Sequence, residues 1–512
     1  MTTPTRAFAP PCGPVRGRVD GDVVRATGIP YATADRFAAP VPVADREEPF
    51  DATRPAPACP QAHSPFLTGV LGDTLAGLPR DEHCQRLSVT LPLERGPAER
   101  LPVMVWIHGG SYTTGAGDAP IMDPRPLVAE QRVVVVSVTY RLGLFGYLGA
   151  GRGRPANLGL LDQLEALRWV RRNIAAFGGD PDRVTVFGQS AGGDAVAHLM
   201  TVPGAELLFR RAILQSPPLG IARGRAAMTA AMAGAAGAVT AGTPAAEVVA
   251  LQAEVEAGAS SFGLRGRMPF GTQYGHHPLP AEEGVEAAWD RVAPHIDVLI
   301  GHTAEEARLY LPTLPLLHRV TRVPLLGPVL RRAVVGQVTA AVHGRAVRRF
   351  AARHARAGGR AHTYLLTWSA PGSPYGSAHT VDLPLLFGDE AAWAGTGLLA
   401  GAPWEDVQGH GRRLRRLWAG FARGEPLADA GAVPGVLRYR AATGARPLER
   451  VLGCVLGCVL GAVRRAQGAA GTSRAPVRAL RRAASSTAAT ATASHGSTGA
   501  SPSPRSHRAT AR

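Results

Sequence analysis

Lysine is absent from this chain of 512 residues, so all 56 basic side chains are arginine. A uniform exclusion of one cation fits a GC-rich coding bias better than a phosphate-binding device, and it weakens the nucleic-acid reading that a net charge of +17 invites. The excess is also uneven. Nine arginines and no acidic residue lie between Arg464 and Arg512, about half of the net charge, in a stretch rich in Ala, Ser, Thr, Gly and Pro. Long apolar runs are missing as well: VLGCVLGCVLGAV, residues 451–463, is too short to cross a bilayer as a helix. The opening MTTPTRAFAPPCGPVRG has no apolar core of a secretory signal, so a cytoplasmic protein is expected, with secretion left open. There are five cysteines with no C-x-x-C pair, and H-E-x-x-H does not occur, so no metal and no cofactor is expected.

What is present can build a large core, since 45% of the residues are hydrophobic. Strand-like runs recur at LPVMVWI (from Leu101), RVVVVSVTY (Arg132), RVTVF (Arg183), RRAILQS (Arg210), HIDVLIG (His295) and AHTYLLTW (Ala361). Several are continuously apolar, which is the mark of parallel strands covered on both faces. Between the second and third, Leu160, Leu164, Leu167, Val170 and Ile174 fall at helical spacing and make one apolar stripe. Strand, helix, strand, helix implies a mostly parallel α/β sheet with helices on both faces and ligands at the carboxyl ends of the strands. The Ala- and Gly-rich stretch from about 220 to 290 has helical patches and no strong strand, so it reads as a helical excursion over the sheet's upper edge.

VTVFGQSAGGDAV, residues 184–196, is the segment that carries chemistry. A β-branched strand stops at Ser190, and a helix pattern follows. A turn that sharp strains its central residue, and side chains at Gly188 or Gly192 would collide across it. The pattern is that of a nucleophile elbow, G-x-S-x-G, which lifts Ser190 above the sheet beside the amide of Ala191. A serine hydroxyl is a weak nucleophile and needs a base, an acid to orient the base, and donors for the oxyanion. VMVWIHGGSY places Gly109, Gly110 and Ser111 directly after a strand, where consecutive amides can join that of Ala191 in an oxyanion hole.

With these segments in place the chain resembles the type-B carboxylesterases, an α/β-hydrolase family of bacterial para-nitrobenzyl-esterase-like enzymes related to the cholinesterases. The likeness runs through GIPYA (28–32), ACPQ (58–61), VMVWIHGGSY (103–112), VVVVSVTYRLGLFGYL (133–148), NLGLLDQLEALRWVRRNIAAFGGDPDRVTVFGQSAGG (157–193) and LFRRAILQS (208–216). It implies the α/β-hydrolase fold over residues 1–450 and a serine ester hydrolase that works through an acyl-enzyme. LIGHTAEEARLYLP resembles the family's acid segment, which implies Glu306 as the orienting acid, with Glu305 one residue out of register. PGSPYGSAHTVDLPLLFGD resembles its histidine segment, which implies His379 as general base and acid, with Asp382 three residues on. Cys59 and Cys84 stand where the family has a disulfide and are expected to be close in space, as thiols in a reducing cytoplasm.

The departures narrow the expected substrate. Gln189 stands where the family commonly has glutamate, and no tryptophan occurs between Cys59 and Cys84. Without that carboxylate and that aromatic face, choline esters are disfavoured, and neutral small esters with an apolar or aromatic alcohol fit better. DEHCQRLSVTLP (81–92) is a degraded form of the family's second signature. The alternative is a catalytically weak or inactive member used for binding; such members usually lose the serine or histidine, and both are here. No specific nucleic-acid partner is expected, the oligomeric state is open, and residues 464–512 are expected to be a disordered tail after the apolar repeat at 451–463.

Overall fold

Period-two packing explains why the strands are apolar on every residue. In the computed structural model, Val103, Val105 and Ile107 of one strand join the core on one side of a sheet, while Met104 and Trp106 join the core on the other. The same division separates Val134, Val136 and Val138 from Val133 and Val135, and Val298 and Ile300 from Leu299. Both faces are therefore buried, as an α/β sheet requires. The structure describes residues 4–444 except 97, 314–322 and 324–325, and residues up to Ala445 form one unit. The apolar repeat at 451–463 and the arginine-rich segment 464–512 lie outside the described residues.

The strands of the main sheet are β1 (Thr5–Phe8), β2 (Val15–Asp20), β3 (Val23–Pro30), β4 (Arg86–Pro92), β5 (Leu101–Ile107) and β6 (Val134–Thr139). They continue with β7 (Gly179–Gln189), β8 (Arg211–Gln215), β9 (Asp297–Thr303), β10 (Ala361–Leu366), β11 (Ala430–Val433) and β12 (Leu437–Ala441). Their spatial order is β1-β2-β3-β4-β6-β5-β7-β8-β9-β10-β12-β11, and a two-residue strand, Phe50–Asp51, pairs with β2. The block from β6 to β10 is parallel throughout. Antiparallel strands flank it, β4 and its neighbours at one side and β12 and β11 at the other. The sheet is thus mixed at its margins and parallel where the site lies.

Five helices matter for the site: α1 (Leu158–Asn173), α2 (Ala191–Leu199), α3 (Gly327–Thr339), α4 (Arg345–Arg356) and α5 (Trp404–Arg423). The stripe foreseen on α1 is buried from Leu160 through Ile174. A buried bidentate pair ties this helix to the loop after β6, with Arg141 donating to Asp162 at 2.7 and 2.9 Å. Every residue of α2 is buried, so it lies wholly inside, and only small side chains near its start let it approach the sheet so closely. Between β8 and β9 the chain forms helices Ala226–Ala235, Ala245–Ala257 and Val285–Val292 and no strand. No helix among the described residues is long and apolar enough to cross a membrane.

Candidate active site

The carboxyl ends of the parallel strands supply every residue of the site. Gly109–Ser111 follow β5, Ser190 follows β7, Glu306 follows β9, and the loop after β10 leads to His379. The elbow has the strain its glycines foretell. Ser190 sits at φ 58° and ψ −124°, a region that side-chain-bearing residues rarely enter. A Cβ on Gly188 would lie 2.5 Å from the carbonyl carbon of Gly192, and one on Gly192 would lie 2.0 Å from the carbonyl oxygen of Ile107. The strained turn is held from both sides: the Ser190 amide donates to Gln215 O at 2.8 Å, and its carbonyl accepts from the Asp194 amide at 2.9 Å.

The oxyanion candidates lie against it. A Cβ on Gly109 would be 3.2 Å from the Cβ of Ser190, so the backbone of this loop abuts the serine. Gly110, Ser111 and Tyr112 all have positive φ (111°, 56° and 62°), which turns successive peptides to one side. Among the described residues, no loop or turn hydrogen bond uses the amides of Gly109, Gly110, Ser111 or Ala191. Backbone donors beside a buried serine normally need partners, so these four are available to a bound oxyanion.

A contact unseen in the sequence fixes this loop. The Tyr112 hydroxyl donates to Asp194 Oδ2 at 2.6 Å, joining the loop of Gly109–Ser111 to the helix that follows Ser190. His198 adds Nδ1 at 3.4 Å from the same carboxylate oxygen, and its Nε2 meets the Tyr274 hydroxyl at 2.8 Å. Burial alone would raise the Asp194 carboxyl, but His198 and the Tyr112 hydrogen bond outweigh it and hold it below its ordinary value. The signal available in the sequence was an acid in the first turn of a helix otherwise apolar save for His198.

The side chains of Glu306 and His379 meet. Nδ1 of His379 contacts Oε2 of Glu306, and Oε1 of Glu306 accepts the Thr303 amide at 2.7 Å. Burial would push the Glu306 carboxyl up, yet the adjoining rings of His343 and His379 and the hydrogen bond from His379 hold it well below the usual carboxylate range. With Nδ1–H donating to this anion, Nε2 of His379 is the basic nitrogen, which is the tautomer a general base needs. Nε2 faces the side-chain amide of Gln189 at 3.4 Å, and no hydrogen bond joins it to Ser190 among the described residues. Nε2 of His379 therefore faces the elbow at the residue before Ser190. Glu305 is placed apart: it is paired with Arg308 at 2.9 Å and accepts from the Ser377 amide at 3.2 Å.

The groups around this pair are buried. Asp382 is buried, accepts from Gln215 Nε2 at 2.5 Å, and is pushed up to about 6 by burial. Gln215 in turn accepts from Trp418 of α5 at 3.2 Å. His343 packs its ring 5.5 Å from that of His379, and burial pushes it down to about 4. It rides on a π-helical turn, Ala340–Gly344, between α3 and α4, a distortion common at functional sites. Nothing in VTAAVHGRAV distinguished it from the other histidines. Farther off, the expected proximity of Cys59 and Cys84 holds: both are buried and unbonded, with their thiols within hydrogen-bonding reach, and burial pushes Cys84 up.

Comparison with known proteins gives the family and the fold. Residues 5–317 match the carboxylesterase family. A probable N-octanoylanthranilate hydrolase of Rhodococcus erythropolis is 38% identical over 82% of this chain and 93% of its own length. The para-nitrobenzyl esterase of Bacillus subtilis is 46% identical over 40% of this chain and 42% of its own. Among solved structures, a thermophilic PNB esterase superposes with a TM-score of 0.67 at 29% identity, covering 83% of this chain and 93% of that one. The chain belongs to the carboxylesterase family and is an α/β-hydrolase acting on carboxylic esters.

Proposed function

We propose that the ester is cleaved through an acyl-enzyme on Ser190. As Ser190 Oγ attacks the acyl carbon, its proton passes to Nε2 of His379. The imidazolium so formed is stabilised by the Glu306 anion at Nδ1, and the carbonyl oxygen, now negative, takes the amides of Gly109, Gly110, Ser111 and Ala191. Collapse expels the alcohol, which takes the proton from Nε2. Water then repeats the sequence with the base restored, releasing the acid. The observation that carries this reading is the buried contact of Glu306 with His379 beside a serine held at φ 58°. Such strain and an enclosed carboxylate are costly features for a protein that only binds.

For the substrate, we infer a small neutral acyl ester with an apolar or aromatic alcohol. Gln189 puts an uncharged amide, in place of a carboxylate, next to His379, and so offers a cationic alcohol no counter-charge. The Rhodococcus relative's name, an N-octanoylanthranilate hydrolase, adds an acyl group on an aromatic amine to the candidates. A panel of p-nitrophenyl, p-nitrobenzyl and naphthyl esters of varied acyl length, with acetylcholine and N-octanoylanthranilate alongside, tests this. The expected order puts the neutral aryl esters first; a higher kcat/KM for acetylcholine would overturn it.

A further inference from the structure

We propose that Glu306, His343 and His379 form a site for a transition-metal ion of the Zn2+ class, and that its occupation turns the hydrolase off. A carboxylate oxygen of Glu306 and one ring nitrogen from each histidine lie within 4.8 Å of one another, and all three side chains are buried. Zn2+ bonds of about 2.0–2.2 Å to nitrogen and oxygen set tetrahedral ligand separations of roughly 3.4 Å, so the short Glu306–His379 contact opens and the widest separation closes, each by roughly an ångström, leaving water as a fourth ligand. Two histidines and a carboxylate suit zinc and its neighbours and not Mg2+ or Ca2+, which take oxygen ligands.

The groups behind these ligands are already arranged as around a metal. Nδ1 of His343 lies 3.2 Å from the carbonyl oxygen of Pro217, so it carries the proton and leaves the Nε2 lone pair to ligate. The π turn that presents His343 is itself pinned, since the Gly220 amide donates to Val342 O at 2.9 Å and a Cβ on Gly220 would lie 2.0 Å from Ala341 O. Oε1 of Glu306 is oriented by the Thr303 amide at 2.7 Å. His343 has no step in the proposed hydrolysis, which leaves its place beside the acid–base pair otherwise unexplained.

The chemistry of inhibition follows from the tautomer. The metal takes the electron pair of His379 Nδ1, where the proton sits when the enzyme is ready. That proton moves through solvent to Nε2, so His379 stays neutral and no proton is released. Nε2 then carries hydrogen and cannot accept the proton of Ser190, while the Glu306 charge is spent on the metal. The inhibition rests on His379 being the base; the metal binding does not.

Isothermal titration of the full chain with ZnCl2, in chelator-free buffer near neutral pH, reads binding independently of activity. One equivalent should bind, and p-nitrophenyl ester hydrolysis should fall in parallel and return on adding EDTA, with Mg2+ inert. In His343→Gln, the Zn2+ dissociation constant and the Zn2+ concentration for half-inhibition should each rise at least about tenfold, each variant being compared with its own metal-free rate. Binding without loss of hydrolysis would sink the inhibitory step, and no binding at millimolar Zn2+, or equal binding by His343→Gln, would sink the site. Should that variant not fold, the wild-type chain decides: Zn2+ should protect both His343 and His379 from diethylpyrocarbonate, mapped by mass spectrometry. Unchanged modification of either would overturn the proposal.

Discussion

Replacing Glu306 by glutamine keeps the shape of the side chain and removes its charge. The carboxylate is 1% exposed, and its two oxygens are committed to His379 Nδ1 and the Thr303 amide. In the proposed reaction His379 takes the proton of Ser190, and a full positive charge develops beside the carboxylate. Two unit charges about 4 Å apart, in surroundings of effective dielectric about 20, attract by about 4 kcal/mol, which is roughly three decades in rate. The amide also donates where the anion accepted, so the wrong tautomer of His379 becomes stable, and the loss approaches about 10⁴-fold. Glu305→Gln is the control. Its carboxylate is 38% exposed and paired with Arg308, so it should cost less than about tenfold. The assay is steady-state hydrolysis of a p-nitrophenyl ester near pH 8, with circular dichroism and melting curves to show that both variants fold. A larger penalty at Glu305 than at Glu306 would refute the reasoning, because the geometry gives Glu305 no route to the imidazole.

Gly192→Ala should be costly because the new Cβ would lie 2.0 Å from Ile107 O and 2.7 Å from His108 O, both backbone. A loss of about 3 kcal/mol or more in urea denaturation is expected. Gly336→Ala, in an exposed position of α3 with nothing within 4 Å, should instead gain up to about 1 kcal/mol. Tyr112→Phe removes the 2.6 Å hydrogen bond to Asp194, whose Oδ1 has no partner among the described residues, and should cost about 2 kcal/mol of stability. Since Tyr112 follows the proposed oxyanion donors, kcat should fall more than KM rises; an unchanged kcat would detach this contact from that role. His108 and His343, each pushed from 6.5 down to about 4 by burial, contribute stability that is fully present above pH 6.5 and lost as the pH falls through 4. Each is worth up to about 3 kcal/mol, so His343→Gln should flatten the fall in urea midpoint between pH 7 and 4, and an unaltered slope would show that His343 is not buried as a neutral ring.

The parallel core was legible because its strands are covered on both faces. LPVMVWI has no polar residue to blur the pattern, and it emerges as β5 with the same ends. β4 was harder to read: RLSVTLP lies inside a departing signature and pairs antiparallel with β6, and a strand's direction leaves no mark in its composition. The elbow could be read because its glycines answer a steric demand made within five residues. Glu306 could be told from Glu305 only through the resemblance, since both glutamates sit in one turn; in three dimensions one faces His379 and the other Arg308. His343 and Asp194 were not found because their roles depend on long-range contacts, to the Pro217 carbonyl and the Tyr112 hydroxyl, that no local period encodes. Gln189 was noted as a departure, but that its amide would face Nε2 of His379 required the fold.

The central claim is that Ser190 is the nucleophile, and stoichiometric labelling with an organophosphate tests it most directly. Peptide mapping should place one phosphoryl group on Ser190, with hydrolysis lost in proportion to labelling. Ser190→Ala should take no label, fold normally, and lose at least about 10³-fold in kcat. A label on another serine, or an unlabelled Ser190→Ala chain that still hydrolyses esters at the wild-type rate, would contradict the account.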